Sequence, residues 1–254
     1  MSKSITIAMC GKGGVGKTTI SALLVKSMAD RTKKKILAID ADPAIGLSYA
    51  LGVEIIKTVD DIRSDLIKTI EREGIRDKSD TIHMLDYEVF DALVQHKNFA
   101  LLAIGRPEGE GCYCQVNNLL KEIIEDLSEK FDVIFIDGEA GIEQIDRRVM
   151  KTVDCLVLVS DTSAKGINVA KAIKKVAREN QAVNYKKVGL LLNRIKIEQE
   201  VDEIMESTDL DLLGWIPEDP TIREYDFYGK SYFDFPESSP ASIVIHNLLD
   251  KIGI

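Results

Sequence analysis

Gly11-Lys12-Gly13-Gly14-Val15-Gly16-Lys17-Thr18 stands between an apolar run, Ile5 to Met9, and a helical pattern over residues 17 to 31. The octet fits G-x-x-x-x-G-K-[ST], and a strand before it and a helix after it are the context this phosphate-binding loop requires. Glycines let successive backbone N–H groups turn inward around phosphate oxygens. Lys17 then reaches the terminal phosphates and Thr18 is placed for Mg²⁺, while the helix N-terminus adds positive potential. Gly11, Lys12, Gly13, Gly14, Val15, Gly16, Lys17, Thr18 and the adjoining Thr19 are therefore candidate nucleotide-binding residues.

Outward from the loop, short apolar runs alternate with longer helical patterns. The runs are Ile5 to Met9, Lys35 to Asp40, Phe99 to Ile104, Phe131 to Asp137, Asp154 to Ser160 and Val188 to Asn193. Thr81 to Leu85 is weaker and reads either as a strand or as part of an insertion. Helical patterns cover residues 17 to 31, 58 to 72, 115 to 130, 164 to 180, 197 to 207 and 239 to 252. Continuous apolar strands with crossover helices between them predict a doubly wound, mainly parallel α/β sheet of the P-loop type, in a single domain over residues 1 to 254. Ligands of such sheets sit beyond the carboxyl ends of the strands, so function is to be sought just after each run.

Composition narrows the classes. With 254 residues, 45% hydrophobic and 30% charged, the chain is neither disordered nor collagen-like. A net charge of −9 argues against non-specific nucleic-acid binding, which relies on Lys and Arg neutralising phosphates. No apolar run approaches the roughly 20 residues of a membrane helix, and the N-terminus lacks the regions of a signal peptide. The expectation is a cytoplasmic protein without a membrane partner. Four cysteines in a reducing compartment are then not a disulfide framework.

The second lysine, Lys12 in Lys-Gly-Gly-Val-Gly-Lys, is similar to the signature of the deviant Walker A ATPases. That group includes the MinD and ParA proteins, the arsenite pump ATPase, the nitrogenase iron protein and metal-cofactor maturation ATPases. The resemblance implies an ATP-sandwich homodimer in which Lys12 contacts phosphates held by the partner subunit; a solvated loop lysine is the plainer reading. It also gives a role to Asp42 in Asp40-Ala41-Asp42-Pro43, since the acid before the proline positions or activates the attacking water in this group. Asp40 follows as a supporting member of the Mg²⁺ shell. Asp42 equally suits an Asp-Pro helix N-cap, and the two readings are compatible. Lys12, Lys17 and Asp42 are the candidate catalytic residues.

Asp137 closes an apolar strand in the Walker B manner and is expected to hold Mg²⁺ together with Thr18. Gly138-Glu139-Ala140-Gly141 can change backbone angles at little cost, as a loop sensing the γ-phosphate must. The resemblance further implies that Asn193, with Arg194 beside it, reads the adenine and that the loop containing Pro217 closes over the base. ATP, ADP and Mg²⁺ are the cofactors so implied.

Cys10 and Cys155 lie in apolar runs and read as small core residues. Cys112-Tyr113-Cys114 instead follows the polar stretch Gly105-Arg106-Pro107-Glu108-Gly109-Glu110-Gly111 and precedes a helix. Thiols near a helix N-terminus gain thiolate character, which leaves a redox pair or a metal site as the alternatives. Two thiolates do not complete a four-coordinate site, and His83, His96 and His246 are distant in sequence. A two-fold axis through a dimer would bring Cys112 and Cys114 of both subunits together, four sulfurs suited to Zn²⁺, Ni²⁺ or an iron-sulfur cluster.

Gly105 to Cys112 looks like the segment of the nitrogenase iron protein carrying one cluster ligand per subunit. That family has a second ligand cysteine beyond the Walker B acid, whereas here none occurs between Asp137 and Cys155. The C-x-C pair with Asp-Gly-Glu-Ala-Gly resembles instead the CooC-type nickel-insertion ATPases of carbon monoxide dehydrogenase maturation. This resemblance implies nickel or zinc at Cys112 and Cys114 and a client nickel enzyme, carbon monoxide dehydrogenase. The rival readings are a MinD/ParA-like spatial organiser and an iron-sulfur carrier. MinD-like proteins carry a basic amphipathic C-terminal helix, but from Ala241 onward Lys251 is the sole Lys or Arg here.

Overall fold

The strands are β1 (Ile5–Gly11), β2 (Ile36–Asp40), β3 (Val94–His96), β4 (Phe99–Ala103), β5 (Val133–Asp137), β6 (Thr152–Ser160), β7 (Asn184–Ile195) and β8 (Leu212–Pro217). In this computed structural model, which describes residues 4–73, 78–106, 114–139, 149, 152–179 and 184–254, they form one eight-stranded sheet in the order β3-β4-β2-β5-β1-β6-β7-β8. Every pairing is parallel except the short β3–β4 hairpin at one edge.

Helices α1 (Lys17–Arg31), α2 (Gly46–Leu51), α3 (Val59–Glu73), α4 (Lys78–Asp91), α5 (Cys114–Ser128), α6 (Ala164–Glu179), α7 (Gln199–Glu206), α8 (Pro220–Tyr228) and α9 (Pro240–Ile252) cover its two faces. The reason lies in the alternation of strand side chains. Ile7, Met9, Val133 and Phe135 enter a core shared with α1, α2 and α9. Their neighbours Ala8, Cys10, Ile134 and Ile136 enter a second core shared with α3, α4, α5, α6 and α7. Strands buried on both faces lose the polar-apolar alternation, which is why the runs are continuous in sequence. Helix α1 is buried from Ile20 through Ala29. It passes under α2 and α9 and carries the phosphate loop at its head.

Two helix starts near the C-terminus support each other. Asp219 accepts from Thr221 N at 2.9 Å and precedes Pro220, and Ser239 accepts from Ala241 N at 3.2 Å and precedes Pro240. The Ser239 hydroxyl also donates to Asp219. Proline at the first helical position and a capping oxygen before it are the expected start signals.

The sequence expectations meet four differences. Thr81–Leu85 is not a strand but the middle of α4. Strand β3, three residues long, is too short to show a period, and its hairpin turns through Lys97 at φ 46°. Helices α2 and α8 and strand β8 are likewise additional to the expected elements. Strand β7 begins at Asn184, where its first residues are largely exposed and polar. No helix of the described residues is long and apolar enough to cross a membrane.

Register decides what meets at the carboxyl pole. Met9 and Asp40 both pair with Asp137, Gly11 pairs with Val159, and Ser160 pairs with Leu192. The ends of β1, β2, β5, β6 and β7 thus form one row above which the loops gather.

Candidate functional site

The phosphate loop is built by close backbone approach. At Gly11, φ is 154° and a Cβ would lie 2.1 Å from the Val159 carbonyl oxygen, so no side chain fits between β1 and β6. At Gly16, φ is 96° and a Cβ would lie 2.4 Å from Asn193 Nδ2. Asn193 is the buckle that requires this space. Its Nδ2 donates to Val15 O at 2.8 Å, its Oδ1 accepts from Arg194 N at 2.9 Å, and Arg194 Nη1 donates to Gly14 O at 3.0 Å. The end of β7 therefore clamps the second half of the loop. Lys17, only 7% exposed, curls into it and donates to Gly11 O at 3.2 Å and Lys12 O at 3.3 Å.

Two buried acids stand side by side below the loop. Asp137 Oδ1 accepts from Ser21 at 3.0 Å, and Thr18 also donates to this carboxylate. Its Oδ2 is buried without a hydrogen-bond partner. Burial pushes its pKa up to about 6, against the opposing pull of Thr18, Ser21 and the Lys17 charge. Asp40 is pushed up to about 7 by burial and by the neighbouring Asp137 charge. A buried carboxylate oxygen without a donor, next to a threonine hydroxyl, suits a hard cation that keeps waters and phosphate oxygens for its remaining positions, as Mg²⁺ does. Among the described residues no three His, Cys, Asp or Glu side chains form a metal cage.

Asp40 and Asp42 divide their work differently from the helix-cap reading. Asp40 Oδ2 accepts from Leu47 N at 2.8 Å and its Oδ1 from Asp42 N at 3.2 Å, so Asp40 secures the first turn of α2. Asp42 Oδ1 accepts from Ala44 N at 2.9 Å within the preceding turn, and the N-cap position belongs to Ile45 at φ 53°. Asp42 is thus not the cap of α2, and it faces a cavity of about 400 Å³ with the loop glycines, Lys17, Thr18, Glu139 and Arg194. Glu139 was not among the candidate site residues. It follows the Walker B strand by two positions, which is the signal that could have selected it.

Lys12 projects the other way. Its Nζ lies 3.7 Å from Asp161 Oδ2. Burial raises the Asp161 pKa, but hydrogen bonds from Ser163 and the charges of Lys12 and Arg194 outweigh it and hold the carboxyl below its usual range. Asp161 and Ser21 are further residues that motif reading passed over; Asp161 directly follows β6, at the end of the sheet where function is expected.

Pro217, Thr19 and Asn193, expected at the nucleotide, are not among the residues that line the cavity. Pro217 ends β8 beside Trp215 and lines a separate cleft with Ile243 and Val244. Thr19 hydrogen-bonds the Tyr232 hydroxyl. Asn193 is 4% exposed and lies within β7 rather than after it. Cys10 and Cys155 are buried and not joined in a disulfide, their thiols pushed up to about 12 and about 11 by burial. Cys112 lies outside the described residues, as do Ala140 and Gly141, and Cys114 is described only as the first residue of α5.

Known proteins are similar to this chain in sequence and in fold. The chain is 40% identical over 248 residues to an uncharacterized ATP-binding protein of Methanocaldococcus jannaschii, covering 97% of each chain. It is 31% identical over 259 residues to the carbon monoxide dehydrogenase accessory protein CooC of Rhodospirillum rubrum, again covering 97% of each. The septum site-determining protein MinD of Pyrococcus horikoshii, solved with Mg-ADP, superposes with a TM-score of 0.71 at 23% identity over 98% of this chain and 96% of that one. The CobQ/CobB/MinD/ParA nucleotide binding domain matches residues 6–232. The chain belongs to that family, and is an ATP-binding ATPase of the MinD/ParA/CooC kind.

Proposed function

We propose that this ATPase is a cytoplasmic metallochaperone which carries nickel, or zinc, on Cys112 and Cys114 at an ATP-dependent homodimer interface and assists nickel insertion into carbon monoxide dehydrogenase. The observation that carries the reading is the identity of 31% with CooC along nearly the whole chain, joined to the C-x-C pair of this sequence. Further support comes from the order of elements: β4 runs toward the same pole as the phosphate loop, and Cys114 opens the helix that follows.

In this mechanism the single domain acts through its strand ends. The inward-turned backbone and Lys17 bind the phosphates, with Arg194 on the base side. Asp42 orients the attacking water. Mg²⁺, which Thr18 and Asp137 would hold, supplies neutralisation of charge on the transferred phosphoryl group. Lys12 leaves Asp161 and reaches phosphates of the partner subunit, so hydrolysis loosens the dimer and releases the metal to its client. Asp40, whose oxygens are taken by backbone N–H groups, shapes the loop that presents Asp42.

Linkage makes the metal half testable. If metal favours the closed dimer, ATP must tighten metal binding by the same factor, typically worth about 1–3 kcal/mol. Anaerobic titration of Ni²⁺ and Zn²⁺ with sizing in ADP and in a non-hydrolysable ATP analogue should show tighter metal binding and more dimer with the analogue. Unchanged affinity and unchanged size would sink the reading. Cys112→Ser with Cys114→Ser should abolish metal binding and spare nucleotide binding.

A MinD/ParA-like organiser is the second reading, favoured by the family itself. Against a membrane role, Ile245, Leu248 and Leu249 of α9 are buried in the core and Lys251 is its only Lys or Arg. Co-sedimentation with anionic liposomes or DNA in the presence of ATP separates the two.

A further inference from the structure

A cleft of about 500 Å³ opens at the amino-terminal pole of the sheet, between the α1–β2 connection, the end of α4, the β3–β4 turn and the segment after α5. Lys33, Lys34, Lys35, Lys97 and Lys130 stand around it. Among the described residues none of the five forms an ion pair. Lys97 alone has another engagement, its ammonium 4.6 Å above the Phe233 ring. On a chain of net charge −9, five cations gather around this one cleft.

The wall between the lysines is apolar. Ile36, Leu93, Phe99 and Phe131 line it, and Phe90 leaves 55% of its surface exposed. A cation rim around an apolar wall asks for a ligand with both characters. No arginine lines the cleft, and lysines on flexible stems act as separate point charges rather than as the fixed forks that recognise one phosphate. Single-stranded nucleic acid would need several open rings for stacking. Only Phe90 is fully open, since Phe99 is buried and Phe131 is half-buried. Carboxylates spaced along a peptide, with an apolar side chain among them, match the arrangement.

We propose that this cleft is a docking site for an acidic peptide segment of a partner protein, which sets its carboxylates on the rim lysines and one aromatic or branched aliphatic side chain against Phe90 and Phe131. The site is separate from nucleotide chemistry. Strand β2 runs from Ile36 at the cleft to Asp40 beneath the phosphate loop, about 13 Å at the usual rise per residue. Nucleotide binding therefore serves as an independent measure of folding.

The test uses the full chain and fluorescence anisotropy with a labelled peptide alternating Glu with Phe and Leu. Three further probes are the same peptide with Ser for Phe and Leu, a single-stranded oligonucleotide and phosphatidylserine vesicles. The Glu/Phe/Leu peptide is expected to bind, more weakly as salt rises. The variant Lys34→Glu, Lys97→Glu, Lys130→Glu should lose about tenfold or more in affinity while binding ATP normally. Phe90→Ser, at an exposed position, should weaken the same peptide and carries the test if the triple variant fails to bind ATP. The Ser peptide should bind at least about tenfold more weakly than its parent, as removal of apolar contacts requires. No binding of the Glu/Phe/Leu peptide, equal affinity in the variants, or equal affinity of the Ser peptide would overturn the proposal. Tighter, lysine-dependent binding of the oligonucleotide or the vesicles would overturn it as well.

Discussion

The two halves of the phosphate loop carry a lysine each and treat it in opposite ways. From Val15 to Lys17 the chain is clamped by Asn193 from β7, and the Lys17 ammonium is folded back on loop carbonyls. At Lys12 to Gly14 the chain is more open: Gly13 and Gly14 are exposed, the Lys12 and Gly14 carbonyls accept from the long side chains of Lys17 and Arg194, and the Lys12 side chain pairs with Asp161. Both side chains of that ion pair retain more than a quarter of their exposure, 29% and 27%. Such a pair is worth about 1 kcal/mol or less. One half is fixed where it must cradle, and the other is lightly held where it must reach.

The sharpest way to break this contrast is at Gly11, where both halves hang from β1. Gly11→Ala drives a methyl into the Val159 carbonyl. Overpacking against backbone has little room to relax, so a loss of about 3 kcal/mol in urea unfolding is expected. A loss below about 1 kcal/mol would mean that β1 and β6 can separate there.

Asn193→Ala comes next. It leaves Val15 O without its side-chain donor in a buried setting, and should cost about 1–3 kcal/mol with weakened ATP binding. If stability falls but nucleotide affinity does not, the clamp serves the core and not the loop.

Lys12→Ala should cost less than about 1 kcal/mol in stability. The expected loss is in ATP-dependent dimerisation and turnover, read by sizing and phosphate release. Equal destabilisation by Lys12→Ala and Asn193→Ala would erase the distinction between the halves.

The smallest effect concerns pH. Asp161 has a folded-state pKa below its ordinary 3.8. The stabilisation it gives is complete above the unfolded-state value and disappears as pH falls through the folded one. Acid unfolding curves of the wild type and Asp161→Asn should therefore draw together below the ordinary carboxylate range, and stay apart at neutral pH.

The sheet was legible because its strands are buried on both faces, leaving unbroken apolar runs such as Val133 to Ile136. The loop was legible because its glycines answer to backbone geometry. What escaped has equally physical reasons. Strand β3 is too short for a period, and the Thr81–Leu85 run belongs to a helix whose buried Leu85 and Val89 are spaced by one turn. In the site, motif spacing identified Lys12 but not Asp161, because the pair is separated by 149 positions and is joined only where β1 and β6 end together. Asp40 is expected as a supporting member of the Mg²⁺ shell, and spacing alone gave no sign that its oxygens also accept from Leu47 N and Asp42 N.

The sheet ends on two blunt margins. Strand β3 offers three residues, and β8 closes on Pro217, which has no N–H to donate. The brevity of one and the terminal proline of the other both hinder extension of the hydrogen-bonded ladder. Association of copies through sheet continuation is thereby disfavoured, and so is the slow fibrous growth that long open margins invite. Helix-covered faces and loop-bearing poles are what remain for assembly, surfaces whose contacts can be made and undone within a catalytic cycle.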